Sequence, residues 1–137
     1  MSDERAPVAP NQRAQILGVH HVAMPFPGDE AAFAAARRFY GELIGLSERP
    51  ALLPGVLWFD AGGGTELHLY SAPDEMNPES HRHPCLRLQG LDEMRGRLKD
   101  AGLELIEPEG DMADRRRFFA FDPFGNAIEF LEFLEFL

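Results

Sequence analysis

The sequence contains a single cysteine, Cys85, so no disulfide bond can form within the chain. Disulfides are rare in reducing compartments, and a protein without them is typical of the cytoplasm. No apolar run approaches the roughly 20 residues that a transmembrane helix needs, and the polar start of the chain lacks the apolar core of a signal peptide. We therefore expect a cytoplasmic protein with no membrane partner.

Basic residues are also few: 13 Lys and Arg stand against 23 Asp and Glu, which gives a net charge of -10. Binding to nucleic acid or to anionic membranes needs clustered positive charge, so both classes of partner are disfavoured. The one basic cluster is 115–117 (RRR). Alternation along a strand would turn at least one of these side chains inward, where it could meet an anionic substrate group; otherwise they form surface salt bridges.

The length of 137 residues fits one domain, predicted over 15–137 after a flexible polar tail at 1–14. Hydrophobic periodicity predicts an α+β protein with two helices, one centred on Phe33 to Leu43 and one over 91–101. The predicted strands are 16–24, 46–50, 55–60 and 64–71, then, after a linker at 72–82, 83–89, 103–107, 115–121 and 126–134.

This order repeats a β-α-β-β-β unit, as module 1 (about 16–71) and module 2 (about 83–134). Glu66 follows His21 by 45 residues and Glu129 follows His83 by 46. The sequences around the two glutamates also agree once an insertion is allowed. Two modules related by a pseudo-twofold axis would bring these four side chains to one centre.

Two imidazoles and two carboxylates suit a divalent ion such as Zn, Ni, Co, Mn or Fe(II). Glu129 shares a strand face with apolar residues, where an unpaired carboxylate is costly and a metal would offset the cost. His68 lies on the same face as Glu66 and could replace it as fourth ligand or contact the substrate, but the spacing favours Glu66. His20 should face away from His21.

Three segments, 18–24 (GVHHVAM), 39–46 (FYGELIGL) and 121–130 (FDPFGNAIEF), resemble the opening and the final hairpin of the vicinal oxygen chelate superfamily, which contains glyoxalases, bleomycin resistance proteins and dioxygenases. The resemblance covers about residues 16–134. It implies two βαβββ modules that form a curved, half-open barrel around a metal, with ligands at the positions already singled out: His21, Glu66, His83 and Glu129.

The resemblance further implies a glyoxalase-like lyase or isomerase, in which the metal acts as a Lewis acid on vicinal oxygens of a small substrate. Glu129 or Glu66 would be the catalytic base, and His68, Tyr70 and Arg87 are candidate substrate-binding residues. The alternatives are a metal-free ligand-sequestering protein of the bleomycin-resistance kind, a small dioxygenase, and a fosfomycin-type thiol transferase.

A half-open barrel leaves strand edges and apolar surface to be covered. The chain ends in 129–137 (EFLEFLEFL), which keeps presenting Phe and Leu to its last residue. We therefore expect a homodimer with the C-terminal strand near the interface.

Overall fold

The structure is a computed structural model that describes residues 13–110 and 112–134. Most of the predicted N-terminal tail and the last three residues of the predicted interface segment lie outside this range. The described chain forms two four-stranded sheets with helices packed against them, which confirms the predicted α+β class and the two βαβββ modules. No helix in the described part of the chain is long and apolar enough to cross a membrane.

Each sheet has its module's first strand at one edge and beside it the last strand, in parallel. The strands of module 1 are β1 (His21–Phe26), β2 (Ser47–Arg49), β3 (Val56–Asp60) and β4 (Glu66–Ser71), in the spatial order β1-β4-β3-β2. Those of module 2 are β5 (Cys85–Arg87), β6 (Leu105–Ile106), β7 (Arg115–Phe121) and β8 (Ala127–Phe133), in the equivalent order β5-β8-β7-β6. The linker contains one short 3-10 turn, Pro73–Glu75.

The first predicted helix is divided in two. Asp29 caps α1 (Glu30–Ala36) by accepting a hydrogen bond from the backbone N–H of Ala32 at 2.8 Å. The helix then widens into a π-helical segment, Arg37–Leu43. The N–H of the next residue, Ile44, donates to the Phe39 carbonyl and extends this pattern. The second predicted helix is α2 (Leu91–Asp100).

The first strand begins later than predicted. Residues 13–20 have no regular structure and lie exposed, and Ile16 is 93% exposed. The reason is pairing: β4 begins at Glu66, so β1 finds its ladder partners only from His21 onward. The apolar pattern at 16–19 therefore marks surface in the single chain. Likewise β5 is only three residues long, and His83 precedes it.

One hydrophobic core runs through both modules. The Phe26 and Phe124 rings meet edge to face at 5.6 Å between their centroids. Nearby, the buried Tyr40 hydroxyl donates to Asp122 Oδ2 at 2.6 Å. Asp122 also accepts from Asn126 and from the Phe124 N–H, so its carboxylate closes the turn before β8. Burial, reinforced by Asp122, raises the pKa of Tyr40 well above its usual value and keeps the phenol a donor.

Tyr40→Phe should lower the free energy of unfolding by about 1–3 kcal/mol, because it leaves a buried carboxylate one donor short. The measurement is urea denaturation at neutral pH. Tyr70→Phe is the matched control: its hydroxyl donates to Glu75 near the surface at 2.9 Å, so the loss should stay below about 0.5 kcal/mol. Equal effects of the two substitutions would contradict this role for Tyr40.

Candidate functional site

On the open face of the first sheet, three of the predicted site residues form a first cluster: His21, Glu66 and His68. His21 and Glu66 are ladder partners on the parallel strands β1 and β4. His68 lies two residues after Glu66, on the same face of β4. His68 Nε2 is 2.8 Å from Glu66 Oε1, and its ring stacks on that of His21 at 4.0 Å. The other face of the His68 ring lies 4.8 Å from Trp58.

The prediction that His20 faces away from His21 is wrong. Their Nδ1 atoms lie 2.8 Å apart, and the two rings meet edge to face. His20 precedes β1, so the strict alternation of strand side chains does not apply to it.

On the second sheet, His83 and Glu129 form a second cluster together with Arg117. His83 Nε2 is 2.9 Å from Glu129 Oε1, and Arg117 Nη1 is 3.3 Å from Glu129 Oε2. His83 Nδ1 donates to the backbone carbonyl of His81 at 2.9 Å. This bond fixes the ring, and it leaves Nε2 as the nitrogen available to a metal.

Strand register shows which residues of the two modules are equivalent. In module 1, His68 pairs with Ala23 on β1 and with Trp58 on β3. In module 2, Glu129 pairs in the same way with Cys85 on β5 and Phe119 on β7. His68 is thus the counterpart of Glu129, and His21 is the counterpart of His83, since each lies two residues before the β1 or β5 partner.

The hairpins before β4 and β8 agree with this alignment and need no insertion. The Ala61 N–H bonds to the Thr65 carbonyl, as the Asp122 N–H does to that of Asn126. Exposure agrees as well: the side chains of His68 and Glu129 are 11% and 10% exposed, whereas that of Glu66 is 22% exposed. Glu66 corresponds to Ala127.

The donor atoms in each cluster suit a divalent ion. Two ligand atoms bound to one such ion at about 2.1 Å are about 3 Å apart, and the His83 nitrogen and Glu129 oxygen already have that separation. Within residues 13–110 and 112–134, however, no group of three or more His, Cys, Asp or Glu side chains is arranged to hold a metal. No hydrogen bond or ring contact among the described residues joins the two clusters. Each is half of the predicted set.

The remaining predicted substrate-binding residues lie apart from each other. Tyr70 lines a cavity of about 640 Å³ between the modules, along with His83 and the β1 residues 22–25. Burial and the bond to Glu75 raise the pKa of Tyr70. Arg87 lies at a different cleft, where its guanidinium sits 4.9 Å from the Phe133 ring centroid. The structure therefore brings Tyr70, but not Arg87, into one cavity with His83.

The sequence model of the Glyoxalase/Bleomycin resistance protein/Dioxygenase superfamily matches residues 18–130, most of the chain. The chain belongs to this superfamily. A glyoxalase family protein from Bacillus anthracis is 35% identical, with a TM-score of 0.77, and the match covers 90% of this chain and 100% of that one. The superfamily is thus shown both by sequence and by structure.

Two further solved structures show how widely the fold is used. A glyoxalase/dioxygenase from Nostoc punctiforme is 26% identical, with a TM-score of 0.71, over 95% of this chain and 98% of that one. An antibiotic binding protein from a Streptomyces species is 24% identical, with a TM-score of 0.69, over 89% and 100%. No curated protein matches the sequence.

Sequence reasoning missed three neighbours of the two clusters: Trp58, Cys85 and Arg117. All three sit on strands beside a cluster residue, and contacts across strands become readable only once the register is known. For Arg117 a signal did exist. Alternation within 115–117 directed at least one arginine to the open face, and Arg117 lies there against Glu129.

The pKa of the Cys85 thiol reports on the electrostatics of the second cluster. Although part of its side chain is exposed, partial burial and the nearby Glu129 carboxylate raise the pKa of its thiol to about 11. At pH 8 the native thiolate fraction is then about 100-fold below that of an ordinary thiol.

We expect Cys85 in metal-free native protein to react with iodoacetamide about 100-fold more slowly at pH 8 than in urea-unfolded protein, because the folded thiol stays protonated. The rate should rise steeply toward pH 11. Glu129→Gln should speed the native reaction, since it removes a negative charge beside the sulfur. A native rate equal to the unfolded rate at pH 8 would contradict the raised pKa.

Proposed function

We propose that this protein is a divalent-metal-dependent lyase or isomerase of the glyoxalase type, acting on a small substrate with vicinal oxygens. The observation that carries the proposal is the pair of equivalent clusters, each with a histidine at or just before the start of the module's first strand and a second donor on the parallel last strand. The sequence-predicted ligands His21, His83 and Glu129 all take part.

For the fourth ligand, register favours His68 over Glu66. His68 is the counterpart of Glu129 and is buried to the same extent, whereas Glu66 corresponds to an alanine. The proposed donor set is therefore three imidazoles and one carboxylate. Such a nitrogen-rich set suits Zn, Fe(II), Co or Ni better than Mn.

The complete site forms between two copies of the chain. The two clusters do not meet within the described part of one chain, and His21 and His83 are both exposed there. His21 lies on β1 and His83 adjoins β5, and within the described residues both strands lie at the edge of their sheet. Next to β1, the exposed Ile16, Leu17 and Val19 supply apolar surface for an interface. The first cluster of one copy then faces the second cluster of the other.

The residues of the second cluster perform the proton chemistry. A bound metal would polarise the vicinal oxygens of the substrate as a Lewis acid. Glu129, the one carboxylate in the proposed donor set, takes a proton from the substrate and returns it to the adjacent atom. Arg117 balances its charge at Oε2. The cavity of about 640 Å³ beside His83 has the size of a small-molecule site and holds the organic part of the substrate.

Mixing two defective variants tests the shared site. His21→Ala and Glu129→Ala homodimers should each lose metal binding, while wild type binds about one ion per chain. After joint unfolding and refolding of equal amounts, each mixed dimer contains one intact site, so about a quarter of the wild-type metal content should return. Elemental analysis after gel filtration gives the number. No recovery, with folded mixed dimers present, would place the site within one chain or remove it altogether.

Glu129→Gln separates the two roles of that side chain. It keeps one oxygen donor and the side-chain size but removes the base, so metal content should be largely retained while turnover falls roughly 100-fold or more. The assay is a panel of hemithioacetals and other vicinal-oxygen compounds with each metal. Glu107→Gln, at an exposed ion pair with Arg95, is the control and should keep full activity. Full activity in Glu129→Gln would refute the base role.

A second candidate function is ligand sequestration without a metal. In its favour, the clusters satisfy their own polar groups: no buried side-chain nitrogen or oxygen in the described residues lacks a hydrogen-bond partner. The similar antibiotic binding protein has the same fold. This function requires ligand affinity that is insensitive to chelators and to Glu129→Gln, together with no turnover by wild type.

A further inference from the structure

Glu66 is left without a role by the proposed donor set, yet it makes a close polar contact within the first cluster. Its Oε1 atom lies 2.8 Å from His68 Nε2, and the contact joins two residues on one face of the same strand. Module 2 has no such pair, because Ala127 occupies the equivalent position. The Glu66–His68 contact is therefore an addition specific to module 1, and the repeat does not require it.

The contact determines where the His68 proton resides. A carboxylate only accepts hydrogen bonds, and among the described residues the His68 ring has no other hydrogen-bond partner, so in the neutral ring Nε2 carries the proton and donates it to Glu66. In the neutral imidazole, Nδ1 then keeps the free electron pair.

Stacking prevents the His68 ring from turning away from this bond. Trp58 covers one face at an interplanar angle of 17° and His21 covers the other at 14°. The residue paired with His68 on β1 is the small Ala23. The ring is stacked on both sides and bonded at Nε2, so it has little freedom to turn over and swap its two nitrogens. Only Nδ1 then remains available to a ligand.

The second cluster uses the same device with a different partner. There the Nδ1 atom of His83 donates to the His81 carbonyl, so in the neutral ring Nε2 and the Glu129 oxygen face each other at 2.9 Å as two acceptors, which is close to the separation of two ligands on one ion. Bonds of this outer kind fix the tautomer of a metal-binding histidine, and losing one typically weakens metal binding 10–100-fold.

We propose that Glu66 is a positioning residue that holds His68 in its Nε2–H tautomer, so that His68 offers Nδ1 to the metal while Glu66 stays outside the donor set. The metal part of this inference rests on the proposed function, and the tautomer part does not.

The tautomer can be read directly in metal-free protein by two-bond ¹H–¹⁵N correlation NMR of the histidine rings, assigned with a His68→Gln variant. In wild type, His68 should be in the Nε2–H form at pH 8. Glu66→Ala should convert it to a mixture of tautomers, and Glu66→Gln, which keeps an oxygen acceptor, should largely restore it. Glu75→Ala, in the linker turn after β4, should leave it unchanged. An unaltered His68 tautomer in Glu66→Ala would overturn the positioning role.

Metal affinity, measured by competition with a chromophoric chelator, tests the second half. Glu66→Ala should bind 10–100-fold more weakly at unchanged stoichiometry, whereas His68→Ala should lose tight binding. His68→Glu, which copies module 2, should retain it. Loss of stoichiometric binding in Glu66→Ala, with tight binding kept in His68→Ala, would make Glu66 the ligand and overturn the inference. Wild type that binds no metal would refute the proposed function and the metal part together, while the NMR result still decides the tautomer part.

Discussion

The parallel pairing of the first and last strand in each module is the constraint on which the site depends. Along β4 and β8, fully buried residues alternate with the residues of the open face: Leu67 and Leu69 enclose His68, and Ile128 and Phe130 enclose Glu129. A slip of one residue would move a histidine and a carboxylate into the fully buried apolar core and apolar side chains onto the face that carries the site. The free-energy cost of such a slip fixes the strand register. The alternation of apolar and polar side chains along each strand therefore specifies both the core and the site.

Within this shared backbone plan, the two modules have diverged in chemistry. The last strand of module 1 presents an imidazole that is stacked on Trp58 and bonded to Glu66. The last strand of module 2 presents a carboxylate that is balanced by Arg117. Each arrangement satisfies its buried polar atoms locally, as a low-dielectric environment demands. A binding site built from both modules is therefore asymmetric even though the strands that carry it are related by a pseudo-twofold axis.

The sequence was sufficient for the fold class, the two modules and the equivalence of His21 and His83 in the repeat, because hydrophobic periodicity and the FYGELIGL and FDPFGNAIEF segments reflect local structure. It was insufficient at β4. Matching glutamate to glutamate by spacing required an insertion that the hairpins do not contain, whereas the hydrogen-bonded turns at Ala61 and Asp122 align His68 with Glu129. Trp58, Arg117 and the late start of β1 depend on partners distant in sequence, which periodicity cannot specify.

The separation of the two clusters has a consequence for the cell. The proposed site, assembled from two chains, would exist only in the associated fraction of the protein, and that fraction follows mass action. Below the dissociation constant of the dimer, each newly made copy would carry only unfinished halves and could neither retain a metal nor expose a substrate to it. Activity would then rise with roughly the square of expression at low abundance. Activity would thus have a threshold in the amount of protein expressed, and no effector molecule would be needed to set it.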